Sequence, residues 1–180
     1  MKSYLTVAFS MLAAAALAAS PARAQEVTKE NVDGVTNFNR LETTIACAGA
    51  TKATAVAELK KMGFASIVNL RQANEAGADL EQEEAAAKAV GIRYYWIPFN
   101  GQMPDPAVAD KFLDAITAKD SDPAFIHCAT GNRASAMWMI KRLVVDHWDV
   151  DRASKEATAL GLTSGALKQF AIDYAQTHKR

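Results

Sequence analysis

Residues 124–135, Ala-Phe-Ile-His-Cys-Ala-Thr-Gly-Asn-Arg-Ala-Ser, constrain this chain more than any other stretch. Ala124 to Ile126 are apolar and follow the turn-forming run Asp120-Ser121-Asp122-Pro123, which predicts a short buried strand. From Arg133 onward, Ala134, Met137, Trp138, Ile140 and Val144 give the broad apolar surface of a helix. A loop between such a strand and helix points backbone N–H groups inward, and the helix dipole adds partial positive charge. Successive N–H groups in such a turn form an anion nest. Gly131 gives the loop backbone freedom that other residues lack. Arg133 offers a planar fork of donors. The segment is suited to hold a tetrahedral anion on the N–H groups of Ala129, Thr130, Gly131, Asn132 and Arg133.

Cys128 stands at the base of this cradle and faces the same positive field, which favours a thiolate. A thiolate beneath a bound phosphate is a nucleophile already in place. A lone cysteine before a helix is ordinarily a small buried hydrophobe. Here His127 before it, with Gly131 and Arg133 at this spacing behind a strand, favours the reactive reading. His127 itself has two open readings: a residue that orients and polarises the loop, or a packed core histidine.

The pattern His127-Cys128-x-x-Gly131-x-Arg133 resembles the signature loop of the dual-specificity and protein-tyrosine phosphatase superfamily. Those enzymes usually place five residues between Cys and Arg, whereas Ala129, Thr130, Gly131 and Asn132 make four here. Four is the spacing of rhodanese-type sulfurtransferases. It is also that of a bacterial phosphatase-like family that includes the phosphatase-like domain of beta-lactamase-hydrolase-like proteins. The resemblance to the latter extends to Ile67-Val68-Asn69-Leu70-Arg71 and Gly91-Ile92-x-Tyr94-x-x-Ile97-Pro98, and spans most of residues 40–165.

The resemblance implies a cysteine-dependent phosphatase that hydrolyses phosphomonoesters through a phosphocysteine on Cys128. Arg133 and the loop backbone would hold the phosphate, with no cofactor or metal and a phosphorylated protein or small molecule as substrate. It also implies a general acid on the loop after an earlier strand, where Asp105 is the acid available in 100–105. Asp105 also precedes Pro106 at a helix start, and the cap signature favours an N-cap there. A Ser or Thr commonly follows the Arg in these enzymes; here Ala134 does, Ser135 is turned elsewhere on the helix, and Thr130 is the hydroxyl inside the loop. Two rivals stand beside this reading. One is a sulfurtransferase with a Cys128 persulfide, and the other is a non-catalytic anion-binding protein.

The first 24 residues read as a signal peptide. Lys2 is followed by an apolar run from Leu5 to Ala18, and Ala22-Arg23-Ala24 fits a cleavage site before Gln25. The expected product is a single phosphatase-like domain over 25–180 in the periplasm or outside the cell, without a membrane span. The full chain carries 20 basic and 20 acidic residues, with Lys2 and Arg23 in the leader. That balance points to no nucleic-acid partner. In an oxidising compartment the two cysteines, Cys47 and Cys128, suggest a pair. Cys47 is thus a candidate redox partner for an oxidised Cys128. His147 and His178 lack metal-ligand spacing.

Along the chain, 26–39 reads as an irregular polar entry and 41–47 as a strand. A helix capped by Thr51 follows to Met62, then a buried strand over 64–70. Asp79 caps a helix over 80–90 that Gly91 closes, and 92–99 is an aromatic-rich strand. Pro106 opens a helix to Ala118. After the central strand, loop and helix, Asp151 and Thr163 are expected to cap helices over 152–159 and 164–177. Alternating strands and helices predict an α/β fold with a mainly parallel central sheet flanked by helices. The resemblance makes it dual-specificity-phosphatase-like. Ligands of such sheets bind at the carboxyl ends of strands, where Cys128 lies.

Overall fold

The computed structural model describes residues 26–178; the expected leader, 1–24, lies outside the described residues. Short apolar segments form the centre of one sheet: β3 (Ile45–Ala48), β4 (Ser66–Asn69) and β6 (Ala124–His127) are buried along their whole lengths. Together with β5 (Arg93–Trp96) they run parallel in the order β3-β6-β4-β5. Burial on both faces is what continuous apolar runs require.

The polar entry is not irregular. Residues Val27–Val32 (β1) and Val35–Leu41 (β2) form an antiparallel hairpin that continues the sheet beyond β3. Asp33-Gly34 makes its turn, with Gly34 at φ +75°. The hairpin escapes a reading by apolar content because four of the six β1 residues are exposed. The strand expected over 41–47 is accordingly divided between β2 and β3.

Helices cover both faces. On one side lie α1 (Val56–Lys61), reached through a 3-10 turn at Ala53–Ala55, and α2 (Leu80–Val90). On the other lie α3 (Pro106–Ile116), α4 (Asn132–Val144), α5 (Val150–Ala159) and α6 (Gly165–Thr177). Asp79 accepts the Gln82 N–H at 3.2 Å and Gly91 closes α2 in the left-handed conformation. Three expected caps are corrected. Thr51 does not cap; its hydroxyl donates to the Gly49 carbonyl. Asp149 rather than Asp151 caps α5, and Ser164 rather than Thr163 caps α6. Each true cap lies where the backbone is still extended, which the side-chain bond to N2 or N3 demands.

The alternation of β6 divides the core. Ala124, Ile126 and Cys128 face α3 to α6, with Ile45, Cys47, Phe112, Met137 and Ile140. Phe125 faces α1 and α2 and stacks on Phe38 at 6.0 Å between ring centroids. Each fully buried Ile, Met or Phe among them contributes about 1.5–3 kcal/mol relative to exposure. Among the described residues, no helix is long and apolar enough to cross a membrane.

Candidate active site

β6 delivers Cys128 to the carboxyl end of the sheet, and α4 begins at Asn132. The loop between them is held from outside by its carbonyls. Ala129 O accepts the Ala50 N–H at 3.0 Å. Thr130 O accepts the Asn37 amide at 3.1 Å, and Gly131 O accepts both the N–H (2.9 Å) and the hydroxyl (3.1 Å) of Ser135. A trans peptide sets its N–H opposite its carbonyl, so outward carbonyls turn the N–H groups of Thr130, Gly131 and Asn132 inward. The Gly131 N–H indeed reaches the fully buried Cys128 Sγ at 3.1 Å. Gly131 has φ +101°, a conformation that a side chain would strain.

Arg133 is gripped by Glu75 and two backbone carbonyls. Its Nη1 donates to Glu75 Oε1 at 2.6 Å, to Phe99 O at 2.8 Å and to Leu70 O at 3.1 Å, and its Nη2 donates to Glu75 Oε2 at 2.7 Å. Burial opposes the charge of Arg133, but Glu75 and the hydrogen-bonded Cys128 outweigh it and raise the pKa further. Burial likewise works to raise the Glu75 pKa. The bonds from Arg133, the Gln72 N–H and Arg71 prevail and hold it at about 2. Gly101 lets the loop after β5 lie on the stem of Arg133, where a Cβ would stand 3.3 Å from Cγ.

The other expected residues are placed differently. Asp105 is exposed, and its Oδ1 accepts the Ala107 N–H at 2.9 Å as the cap of α3. His127 points to the opposite face from Cys128. It stacks on Phe125 and sets Nε2 2.8 Å from Glu83 Oε1, at an angle that makes no hydrogen bond. Glu83 Oε2 accepts from Asn69 at 2.8 Å, and Asn69 Oδ1 accepts the Arg71 N–H at 2.8 Å. Cys47 sits on the Cys128 face, paired with Ile126 in register, and both cysteines are free thiols. Burial, with the charges of Cys128 and Glu156 added, pushes the Cys47 thiol up against a hydrogen bond from Ser135. The Ser135 hydroxyl also reaches the Gly131 and Leu160 carbonyls.

Arg71 does not enter the cradle. It donates to Gly77 O (2.8 Å), Ala76 O (2.6 Å) and Glu75 Oε2 (3.4 Å), which knits the loop that presents Glu75. Trp96 is 47% exposed and donates to Arg71 O at 2.8 Å. Glu75 has no role in the sequence reading. Its signal was a carboxylate in the loop after a central strand, but two arginines competed for it. Asn37 was missed altogether, because its segment was read as irregular.

The sequence pattern described as "Beta-lactamase hydrolase-like protein, phosphatase-like domain" matches residues 37–144. The chain belongs to this family. The matched segment runs from Asn37, which braces the signature loop, to the last residue of the helix that carries Arg133. The search of curated proteins finds no match. Solved structures agree on the fold. TpbA of P. aeruginosa shares 20% identity over 88% of this chain and 92% of its own, with a TM-score of 0.63. The core catalytic domain of the PP-IP phosphatase SIW14 of S. cerevisiae shares 19% over 80% and 88%, at 0.64. A candidate phosphatase of Shewanella putrefaciens shares 17% over 83% and 97%, at 0.68. The architecture is that of the cysteine-based protein-tyrosine and dual-specificity phosphatases.

Proposed function

We propose that this family member is an exported phosphomonoester hydrolase that works through a phosphocysteine on Cys128. The observation that carries the reading is the surround of the Cys128 sulfur. One loop N–H meets it at 3.1 Å, and Arg133, its guanidinium fixed by Glu75, stands in the first turn of the helix that follows. A phosphate seated there has inward N–H groups and the open edge of Arg133 for its equatorial oxygens. The sulfur attacks phosphorus, the phosphorus–oxygen ester bond breaks, and the leaving oxygen takes a proton. Water then attacks the phosphocysteine, releasing phosphate and the thiolate. TpbA has been crystallised with phosphotyrosine and SIW14 is a PP-IP phosphatase, so phosphorylated organic molecules are the substrate class to test.

Asp105, the acid in the loop between β5 and α3 and the cap of α3, is the proton donor in this proposal. Glu75 is excluded from that role, because a carboxyl with a pKa of about 2 carries no proton at neutral pH.

The test is p-nitrophenyl phosphate hydrolysis by residues 25–180 under reducing conditions, beside Cys128→Ser, with thiosulfate:cyanide transfer run on the same samples. Hydrolysis that Cys128→Ser abolishes supports the proposal. Cys128-dependent thiocyanate formation without hydrolysis replaces it with sulfur transfer, and silence in both leaves an anion-binding protein. Asp105→Asn keeps the cap, since Asn caps as well as Asp. It should slow alkyl phosphates by roughly 10²–10⁴-fold while sparing p-nitrophenyl phosphate, whose leaving group needs no proton.

A further inference from the structure

α2 carries Glu81, Glu83 and Glu84. Glu81 and Glu84 are exposed, whereas Glu83 is buried and points at the sheet. A buried carboxylate is costly unless its oxygens are used. Those of Glu83 are used on the face of the sheet opposite Cys128. Oε2 accepts the Asn69 amide at 2.8 Å and the Tyr94 hydroxyl at 3.4 Å, and Oε1 lies 2.8 Å from His127 Nε2. The Tyr94 oxygen accepts from the same Asn69 amide at 2.9 Å.

Asn69 is the last residue of β4, on the same face as Ile67, while Val68 and Leu70 lie on the face of Cys128. An amide side chain can be turned either way, exchanging donor for acceptor. A carboxylate only accepts, so Glu83 takes Asn69 Nδ2 and leaves Oδ1 for the Arg71 N–H at 2.8 Å. That bond sets how the chain leaves the strand. The Arg71 carbonyl is held in turn by the Trp96 indole at 2.8 Å. Leu70, between Asn69 and Arg71, gives its carbonyl to Arg133 Nη1 at 3.1 Å. The Arg71 side chain continues to Ala76 O, Gly77 O and Glu75 Oε2, and Glu75 holds both nitrogens of the Arg133 fork.

We infer that Glu83 and Asn69 are positioning residues for Arg133. The carboxylate orients the amide, and the amide fixes the end of β4 on which Arg133 and its Glu75 clamp rest. The inference rests on the phosphatase reading, which gives Arg133 the phosphate. A strand end that needed only to pack would take an apolar residue, as Ile67 does two positions earlier. A buried charged group is often no more stabilising than its apolar replacement. What the polar pair adds is direction: it tells the Arg71 N–H which way to face.

Phosphate affinity and turnover read the position of Arg133, and thermal melts read the fold. Calorimetry would measure inorganic phosphate binding to Cys128→Ser, alone and with Asn69→Leu or Glu83→Gln. The same substitutions with Cys128 intact would be assayed for kcat/KM on p-nitrophenyl phosphate. Asn69→Leu should lower both quantities by about tenfold or more, and Glu83→Gln, which keeps the size of the side chain, by about fivefold. Adding Asn69→Asp to Glu83→Gln rebuilds the bond with donor and acceptor exchanged, and should return both to within about twofold of wild type. In the Arg133→Lys background Asn69→Leu should cost kcat/KM less than about twofold, because the group it positions is gone. Stability lost with both quantities unchanged overturns the inference. So does a loss that persists in Arg133→Lys, or a Glu83→Gln loss that the exchange does not restore. If Asn69→Leu does not fold, Glu83→Gln and the exchange decide. Wild-type hydrolysis beside unaffected variants sinks the positioning role alone. Absence of wild-type hydrolysis sinks the phosphatase reading, and phosphate affinity then decides the positioning role by itself.

Discussion

Arg133 and Arg142 stand near opposite ends of α4, and the molecule uses them in opposite ways. Arg142 lies in the last turn, where a cation complements the helix dipole. Its fork is filled: Nε donates to Glu156 Oε1 at 2.6 Å, Nη2 to Glu156 Oε2 at 3.2 Å, and Nη1 to Asp146 Oδ2 at 2.8 Å. The Trp138 and Trp148 rings cover its faces at 4.6 and 4.1 Å. Arg133 lies in the first turn, where a cation is disfavoured and no acidic residue of the helix compensates. Its compensation comes from Glu75, far away in sequence, and from the nearby Cys128. A closed arginine stabilises the fold. One held at a single end against its own helix dipole is the one proposed here to take an anion.

Exchange of each arginine should pull activity and stability apart. Arg133→Lys replaces a fork with a point charge. Loss of a transition-state donor of this kind should lower kcat on p-nitrophenyl phosphate by roughly 10²–10³-fold. The melting temperature should move little, and a large loss of stability with intact kcat would reverse the assignment. Arg142→Met takes the guanidinium from Glu156, which keeps the Trp138 N–H but loses its cation, while Asp146 keeps Lys141; breaking a buried pair costs about 3–5 kcal/mol. Denaturant unfolding should show that loss, with kcat of the folded fraction within a few-fold of wild type.

Glu75→Gln is the smaller and more selective change. It keeps the shape of the side chain but weakens its hold on Arg133. A misplacement of about 1 Å can cost roughly 10²-fold, so kcat/KM should fall by about tenfold to that limit. The sign of its pH effect is fixed. The Glu75 pKa is 4.5 ordinarily and about 2 in the fold, so its stabilisation is full above pH 4.5 and is lost as pH falls toward 2. Thermal melts across that window should therefore depend less on pH in Glu75→Gln than in wild type. Equal slopes would show that Glu75 does not hold Arg133.

Local chemistry made much of the site legible. Gly131 in its turn, Arg133 at its spacing and Cys128 at the end of a buried strand are all consequences of the strand-to-helix segment itself. The helix over 80–90 was readable for the same reason, since Asp79 and Gly91 act within one helical turn of the ends they close. Failures came where the deciding partner is remote or the signal is weak. The hairpin over 27–41 is too exposed for apolar periodicity to show it, although Asp33-Gly34 marks its turn. The strand over 92–99 was legible as aromatic-rich, but that it forms the sheet edge, with the Trp96 indole holding the Arg71 backbone, was not.

The sequence by itself determined the strand–loop–helix segment around Cys128, because a strand end, a glycine turn and a helix N-terminus are contiguous and carry their own geometry. Only the tertiary structure decided what surrounds it. His127 and Cys128 are adjacent in sequence but face opposite sides of the sheet, since side chains alternate along a strand. Glu75 chose Arg133 over Arg71 as its closest partner because the loops after β4 and β6 meet at one end of the sheet. The brace from Asn37 to Thr130 spans 93 residues, and no local rule links positions so far apart until the sheet has formed.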